Sequence, residues 1–436
     1  MIVVLLVVSF IPYIQPAVAK YEGQTALHYQ QQKIRYDYEI LWEENWEDGG
    51  FWTRAGYSDI DENNNIYMSA YLQQEEKRVV RKYNTDGEVQ WETEIDIDGI
   101  EYSEFIDVEP YVIGGYQQPL GNESFNVTDV FELESVNSSS RSYYLCVDQT
   151  TNEVVVLGNV IVDDDQGHQD EYIVIAKYDG EGNELWKKAY TFLLDTLNAG
   201  DNFALDSEGN IFTLCWSIAG ASVLKLSPDG VPLWSRVMKH TILWWPLSLA
   251  IDGNDNVVTT SLYLNIFDPL NLTIYFATYS PNGLKLDDSY IPITVFSTFF
   301  FGSDLVIDMS TNDLYFGVQE NVWKVNPSLE LVWESWFPYP IENLAVDEQF
   351  LFVTGGFSIY LGDEPHYYSA MHSKISGIKI LDIDLGPKFW AGGGFAELFG
   401  MNWMRCVTVD TDGNLIFSGG TGGLRLLKVR IVQIVG

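Results

Sequence analysis

Seven times along this chain an apolar run ends in Asp, passes through a turn rich in Asn and Gly, and resumes as a second apolar run. The fullest copies are 409–420 (VDTDGNLIFSGG), 205–216 (LDSEGNIFTLCW) and 251–261 (IDGNDNVVTTS), with looser ones opening at Asp61, Asp148, Asp308 and Asp347. Each is a strand, a turn and a strand. A second half follows: a third apolar run carrying Lys, another turn, and a fourth run carrying Trp. Lys82 to Trp91, Lys177 to Trp186, Lys225 to Trp234 and Lys324 to Trp333 share one spacing. In the first three a Gly stands four residues before the Trp (Gly87, Gly182, Gly230), where a tight hairpin calls for positive φ. Unit four has Thr278 in place of Lys and no Trp, and unit six shortens the turn between Lys374 and Gly377.

Four strands per unit, repeated radially, describe the blades of an all-β, seven-bladed β-propeller. The Asp-to-Asp intervals run from 39 residues to 87, so insertions decorate a minimal blade of about 40 residues. The longest, 96–144, is itself long enough to hold an eighth, degenerate blade, although it lacks both the Asp turn and the Gly-to-Trp hairpin. The ends of the chain say how the ring closes. The last unit supplies three strands and stops; near the start, ILWEENW (40–46) resembles the fourth strand LVWESW (331–336). The N-terminal strand is expected to complete the last blade, leaving one propeller over 36–436.

Ahead of it, 2–14 is an apolar run short for a bilayer, followed by Ala17-Val18-Ala19. This reads as a signal peptide over 1–19, though without the usual basic start, with 20–35 as an N-terminal extension; an uncleaved tether is the alternative. The sequons at Asn122, Asn126, Asn137 and Asn271 fit an exported glycoprotein, three of them inside the longest insertion. Extracellular or cell-surface placement is expected, with no later membrane anchor.

Sixty-two acidic against 24 basic residues leave a net charge of −38. Such a surface repels nucleic acid and anionic lipid, and favours cations, basic proteins, neutral glycans or plain solubility. The three cysteines, Cys146, Cys215 and Cys406, show no metal spacing, and two fall in or beside inner strands; buried thiols are expected, one disulfide being the alternative.

The pattern V-D-x-x-G-N-h-h-h-x-G, then h-x-K-h-x-x-x-G-x-x-x-W, resembles the secreted seven-bladed propeller repeat of bacteria and archaea. The hairpin YDGEGNELW (178–186) is similar to the repeat of pyrroloquinoline quinone-dependent dehydrogenases and their non-catalytic relatives. The resemblance covers nearly the whole chain from Ile40 onward, and what it implies is a scaffold shared by binding proteins, assembly factors and enzymes, not an activity. The adjacent Cys pair of many quinoprotein alcohol dehydrogenases is missing, and no cofactor residues map onto the chain. The stretch 227–234 approaches a sialidase box, but its Gly falls one position early.

The repeated residues read as scaffold: Asp accepting turn amides, Lys pairing with an Asp of its own or the adjacent blade, Trp filling the space between blades. Function is expected elsewhere. Successive strands alternate in direction, so turns one-to-two and three-to-four emerge on one rim, and two-to-three and blade-to-blade connections on the other. The insertions 96–144, 160–172, 263–272, 358–372 and 387–404 all belong to the second set, which makes that rim the candidate contact face. Trp52, Trp244, Trp245, Phe299, Trp336, Trp390 and Trp403 are expected in its blade-to-blade connections around the central opening, as a stacking platform for sugars or a peptide or as packing between blades. His366, Tyr367 and His372 add polar groups nearby. Asp163, Asp164, Asp165 and Asp170 offer hard oxygen ligands for Ca2+ but lack EF-hand spacing, so a solvated acidic hairpin is the competing reading. No other cofactor is expected. The leading expectation is a monomeric, secreted or cell-surface propeller binding a glycan, peptide or surface protein; the alternatives are an exported enzyme, dehydrogenase or polysaccharide-cleaving, and an envelope-layer component.

Overall fold

In the computed structural model of the protein, the description covers residues 34–46, 54–72, 75, 77–96, 101–105, 127–132, 144–163, 169–192, 196–217, 220–239, 244–263, 271–294, 303–355, 366–387, 404–419 and 424–435. All regular structure there is strand. Tyr36–Val432 form one compact unit, a seven-bladed propeller of four-stranded antiparallel blades.

Blade one is Arg54–Ile60, Ile66–Leu72, Lys77–Tyr83 and Val89–Glu94; blade two is Tyr144–Val147, Val154–Asp163, Gln169–Tyr178 and Glu184–Phe192. Blade three is Thr196–Leu205, Ile211–Ser217, Gly220–Leu226 and Pro232–Lys239; blade four is Trp244–Ile251, Val257–Tyr263, Asn271–Tyr279 and Lys285–Thr294. Blade five is Ser303–Asp308, Asp313–Val318, Asn321–Val325 and Leu331–Trp336; blade six is Ile341–Val346, Phe350–Gly355, His366–Ser373 and Lys379–Pro387. Blade seven takes Met404–Val409, Leu415–Gly419 and Leu424–Val435 from the end of the chain and Ile34–Trp46 from its start.

Two observations fix the count at seven. First strands of successive blades lie side by side in an unbroken cycle that returns from blade seven to blade one. Among the described residues there is also one apolar core cluster at each seam, seven in all. Middle strands, covered on both faces, are buried almost throughout, whereas outer strands such as Val89–Glu94 and Leu331–Trp336 alternate in exposure. The 96–144 insertion is therefore no eighth blade. It contributes Glu101–Phe105 and Val127–Glu132, a hairpin whose first strand pairs parallel with Glu184–Phe192 on the outer edge of blade two.

The repeated residues hold the seams. Asp206 accepts the amides of Glu208 and Asn210 and the side-chain amide of Asn210; Asp61, Asp252 and Asp410 do the same in their turns. Lys225 and Lys428 each place Nζ 2.9 Å from the turn Asp of their own blade, Asp206 and Asp410. In blades two and five the turn is one residue longer and another acid takes the role: Lys177 pairs with Glu153 at 2.6 Å and Lys324 with Asp313 at 2.7 Å. Lys374 departs from the expected pattern. His372 pairs with Lys379 as Tyr83 pairs with Val89, so Lys374 lies in the hairpin turn rather than in strand three, and it ion-pairs back to Asp308 of blade five. Burial pushes the Asp308 carboxyl up, but Lys374 and Ser310 together bring it down to about 2.

Each Trp reaches the next blade. Trp91 Nε1 donates to Gly180 O at 2.9 Å, Trp186 to Pro228 O at 3.0 Å, Trp234 to Pro281 O at 2.9 Å and Trp333 to Lys374 O at 3.2 Å. The indole then covers the hairpin Gly of that blade. At Gly182 φ is 86°, and a Cβ would sit 2.8 Å from Trp91 Cδ2, so both conformation and space require glycine.

Candidate functional site

Strand direction sorts the candidates by rim. First and third strands begin, and second and fourth strands end, on the rim of the two-to-three and blade-to-blade connections. Trp244 and Trp245 open the first strand of blade four, Asn271 its third strand, and His366 and Tyr367 the third strand of blade six; Trp336 closes the fourth strand of blade five. These backbone positions share the loop-rich rim. Trp244, Trp245 and Trp336 belong to strand ends and not to connections, and Trp336 is on an outer strand, away from the axis. Trp336 is 62 % exposed, while Phe337, Tyr339 and Tyr368 pack edge-on and tilted against one another across the seam of blades five and six. His366 and His372 stand at opposite ends of one strand, roughly 20 Å apart at about 3.3 Å per residue. They serve no common site. Burial lowers the His372 pKa, and its Nδ1 lies 3.1 Å from Gly377 O.

Asp163 and Asp170 prolong the middle strands of blade two, where Asp170 pairs with Val162 and Asp163 with Gln169. Residues 154–163 and 169–178 thus carry the blade on toward the same rim. Trp52, Phe299, Trp390, Trp403, Asp164, Asp165, Asn122, Asn126 and Asn137 lie outside the described residues. No three His, Cys, Asp or Glu among the described residues are grouped to hold a metal ion.

The inner strands carry polar residues that sequence reading passed over. Asp59 Oδ2 accepts Val147 N at 2.8 Å, Asp304 Oδ2 accepts Asn343 Nδ2 and Leu344 N at 2.8 Å, and Asn343 Oδ1 accepts Val407 N at 2.8 Å. Cys146 Sγ donates to Phe203 O and Cys406 Sγ to Ser58 O. Side chains therefore bridge blade to blade around the axis. Burial raises the Asp59 pKa to about 6 with help from Asp61, and raises the Cys406 thiol to about 12 and Cys146 well above its usual value. All three cysteines are free thiols. The signal for this belt was present as one polar residue two or four positions before the turn Asp, but only the fold shows that those positions meet across seams.

No protein-family model matches the chain, and no curated protein does. Among solved structures it is similar to an inactive variant of virginiamycin B lyase from Staphylococcus aureus with quinupristin, at 10% identity over 90% of this chain and 99% of that one, TM-score 0.49. It is also similar to BamB from Moraxella catarrhalis, at 12% identity over 86% and 82%, TM-score 0.38, and to a glucose dehydrogenase at 10% identity over 90% and 98%, TM-score 0.38. None of these likenesses bears on what the chain binds or catalyses.

Proposed function

We propose that this chain is a secreted or cell-surface propeller that binds a glycan, a peptide or a neighbouring surface protein through its loop-rich rim. The observation that supports it is the inequality of the rims. Turns such as 61–65, 206–210 and 280–284 are short and closed by Asp, Ser or Asn side chains, whereas, the 96–144 insertion apart, every connection longer than six residues joins strand ends at the opposite rim. A rigid ring that varies only one rim suits recognition there. Trp52, Trp244, Trp245, Phe299, Trp336, His366, Tyr367, Trp390 and Trp403 are the proposed contact residues, with glycans at Asn122, Asn126, Asn137 and Asn271 and export by residues 1–19. Ca2+ at Asp163, Asp164, Asp165 and Asp170 is a secondary proposal for the hairpin. Among the described residues no helix is long and apolar enough to cross a membrane.

The test is retention on immobilised polysaccharide and surface-protein columns by the wild type, by Trp390→Ala and Trp403→Ala, and by a plain-rim variant, Ile375→Ser. Loss of retention in the first two variants alone supports the reading. Equal retention by all forms, or none by the wild type, contradicts it.

A further inference from the structure

The seam between blades four and five breaks the repeat. Thr278 and Asp287 occupy the paired positions that hold Lys and Trp elsewhere, such as Lys225 and Trp234. In the outer strand of blade five, Trp333 Nε1 reaches Lys374 O and Ser335 Oγ reaches His372 Nδ1 at 3.4 Å, both in blade six. Alternation then turns Val332, Glu334 and Trp336 toward blade four, and all three are exposed. Opposite them, Ile291 packs into the core shared by blades four and five, so Asp287 and Ser289, in register with it, face blade five.

Blade one provides an internal comparison. Glu92 is the counterpart of Glu334, each one step beyond the Lys–Trp or Lys324–Trp333 pair, and Arg81 Nε holds it at 2.8 Å. In blade five the Arg position is Trp323, which is buried, and no cation of the described residues pairs with Glu334 or Asp287. Glu334 thus stands between an exposed Val and an exposed Trp on a strand that, among the described residues, has one open edge, with Asp287 of blade four on the face turned toward it. That ring edges of this kind accept an added strand is shown by blade two, where Glu101–Phe105 pairs parallel with the outer strand, Tyr102 opposite Ala189.

We propose that the outer edge of blade five binds an extended polypeptide segment bearing Arg or Lys at alternate positions. The segment adds alongside Leu331–Trp336, its cations on the blade-four face, over Trp336 and against Glu334 and Asp287 with their alkyl stems beside Val332, and its aliphatic side chains on the other face beside the exposed Leu331. Residues two apart on a strand are about 6.6 Å apart, so alternate cations match the Glu334-to-Trp336 step. Net charge of −38 draws such a segment in. A neutral sugar would use Trp336 but leave both acids without a role. The site rests on the binding reading above only in that Trp336 ends its strand at the loop-rich rim; the probe below needs none of the loops, so the two fail separately.

The probe is a capped octapeptide of alternating Arg and Val, titrated calorimetrically into the full chain. The expected result is one-to-one binding, weakened about tenfold by Trp336→Ala and by Glu334→Gln. Trp336→Tyr keeps most of the affinity, and Glu181→Gln, on an exposed turn of blade two, changes nothing. Bound peptide also slows amide exchange in the outer strand of blade five. Absence of binding overturns the proposal, as does equal weakening by Glu181→Gln, or Trp336-dependent binding of cellohexaose in the peptide's place.

Discussion

Trp42, in the strand contributed by the start of the chain, covers Gly87 of blade one: a Cβ on Gly87 would stand 2.9 Å from Trp42 Cδ2, and Trp42 Nε1 donates to Thr85 O at 3.0 Å. The same contact recurs at Trp91 with Gly182, Trp186 with Gly230, Trp234 with Gly283 and Trp333 with Gly377. The N-terminal strand therefore does what any fourth strand does, and Arg425 Nε bound to Glu43 Oε1 at 2.8 Å fixes it beside the last strand of the chain. Closing the ring with both termini removes its two open edges.

Gly87→Ala places a methyl at φ 84° against the indole, and lowers stability by more than about 1 kcal/mol. Trp42→Ala removes apolar area and the hydrogen bond, at a cost of about 3 kcal/mol. Urea unfolding followed by far-ultraviolet circular dichroism measures both.

Where blade four lacks its Trp, blade five lacks the hairpin Gly. Leu329 takes that position with φ 58° and is 3 % exposed, its side chain packing into the core of blades four and five. Leu329→Gly alone is expected to cost about 3 kcal/mol by opening a cavity. Combined with Thr278→Lys and Asp287→Trp it recovers most of that loss, because the repeated clasp is rebuilt. A triple variant no more stable than the single one would refute the exchange.

Asp59 titrates near pH 6 in the folded ring because it is buried, against about 4 when unfolded. A raised carboxyl contributes stability that is fully present below about pH 4 and is lost as pH rises through about pH 6. Relative to Asp59→Asn, the wild type should thus lose up to about 3 kcal/mol across that window. Chemical denaturation at several pH values gives the difference directly.

Cys146 and Cys406 are bonded to carbonyls across seams, and burial raises both thiol pKa values. Native protein at about pH 8 should leave both unalkylated by iodoacetamide, since burial keeps each thiol protonated; Cys406, near 12, holds on the order of a thousandfold less thiolate than free Cys. Mass spectrometry before and after denaturation reads this out, full labelling appearing only in the unfolded chain.

Much of the fold was legible because the repeat writes its own register. Lys225 and Trp234, nine apart in sequence, are opposite one another in the sheet, and Gly230 sits where positive φ is needed. Less legible was anything joining distant segments. That Trp186 meets Pro228 O, or that Asp304 meets Asn343, depends on which blades are neighbours and on their relative height. Lys374 misled for a related reason: Met371, opposite Leu381, holds the place that Lys82 holds opposite Trp91, and Lys374 falls in the turn beyond it, which spacing from Asp347 cannot reveal. Trp336 carries a contact-face signal in its exposure, not in its sequence, since Trp333 three residues earlier is of the same type and serves the seam.

The most direct test of the central claim, that contact is made at one rim, compares two ends of a single strand hairpin. Ser328, exposed in the three-to-four turn of blade five, and Trp336, at the far end of the following strand, are each replaced by Cys and coupled to a large polyethylene glycol maleimide. Retention on the polysaccharide or peptide matrix should be abolished by the adduct of Trp336→Cys and preserved by that of Ser328→Cys. Retention lost only with Ser328→Cys, or lost equally with both, would contradict it.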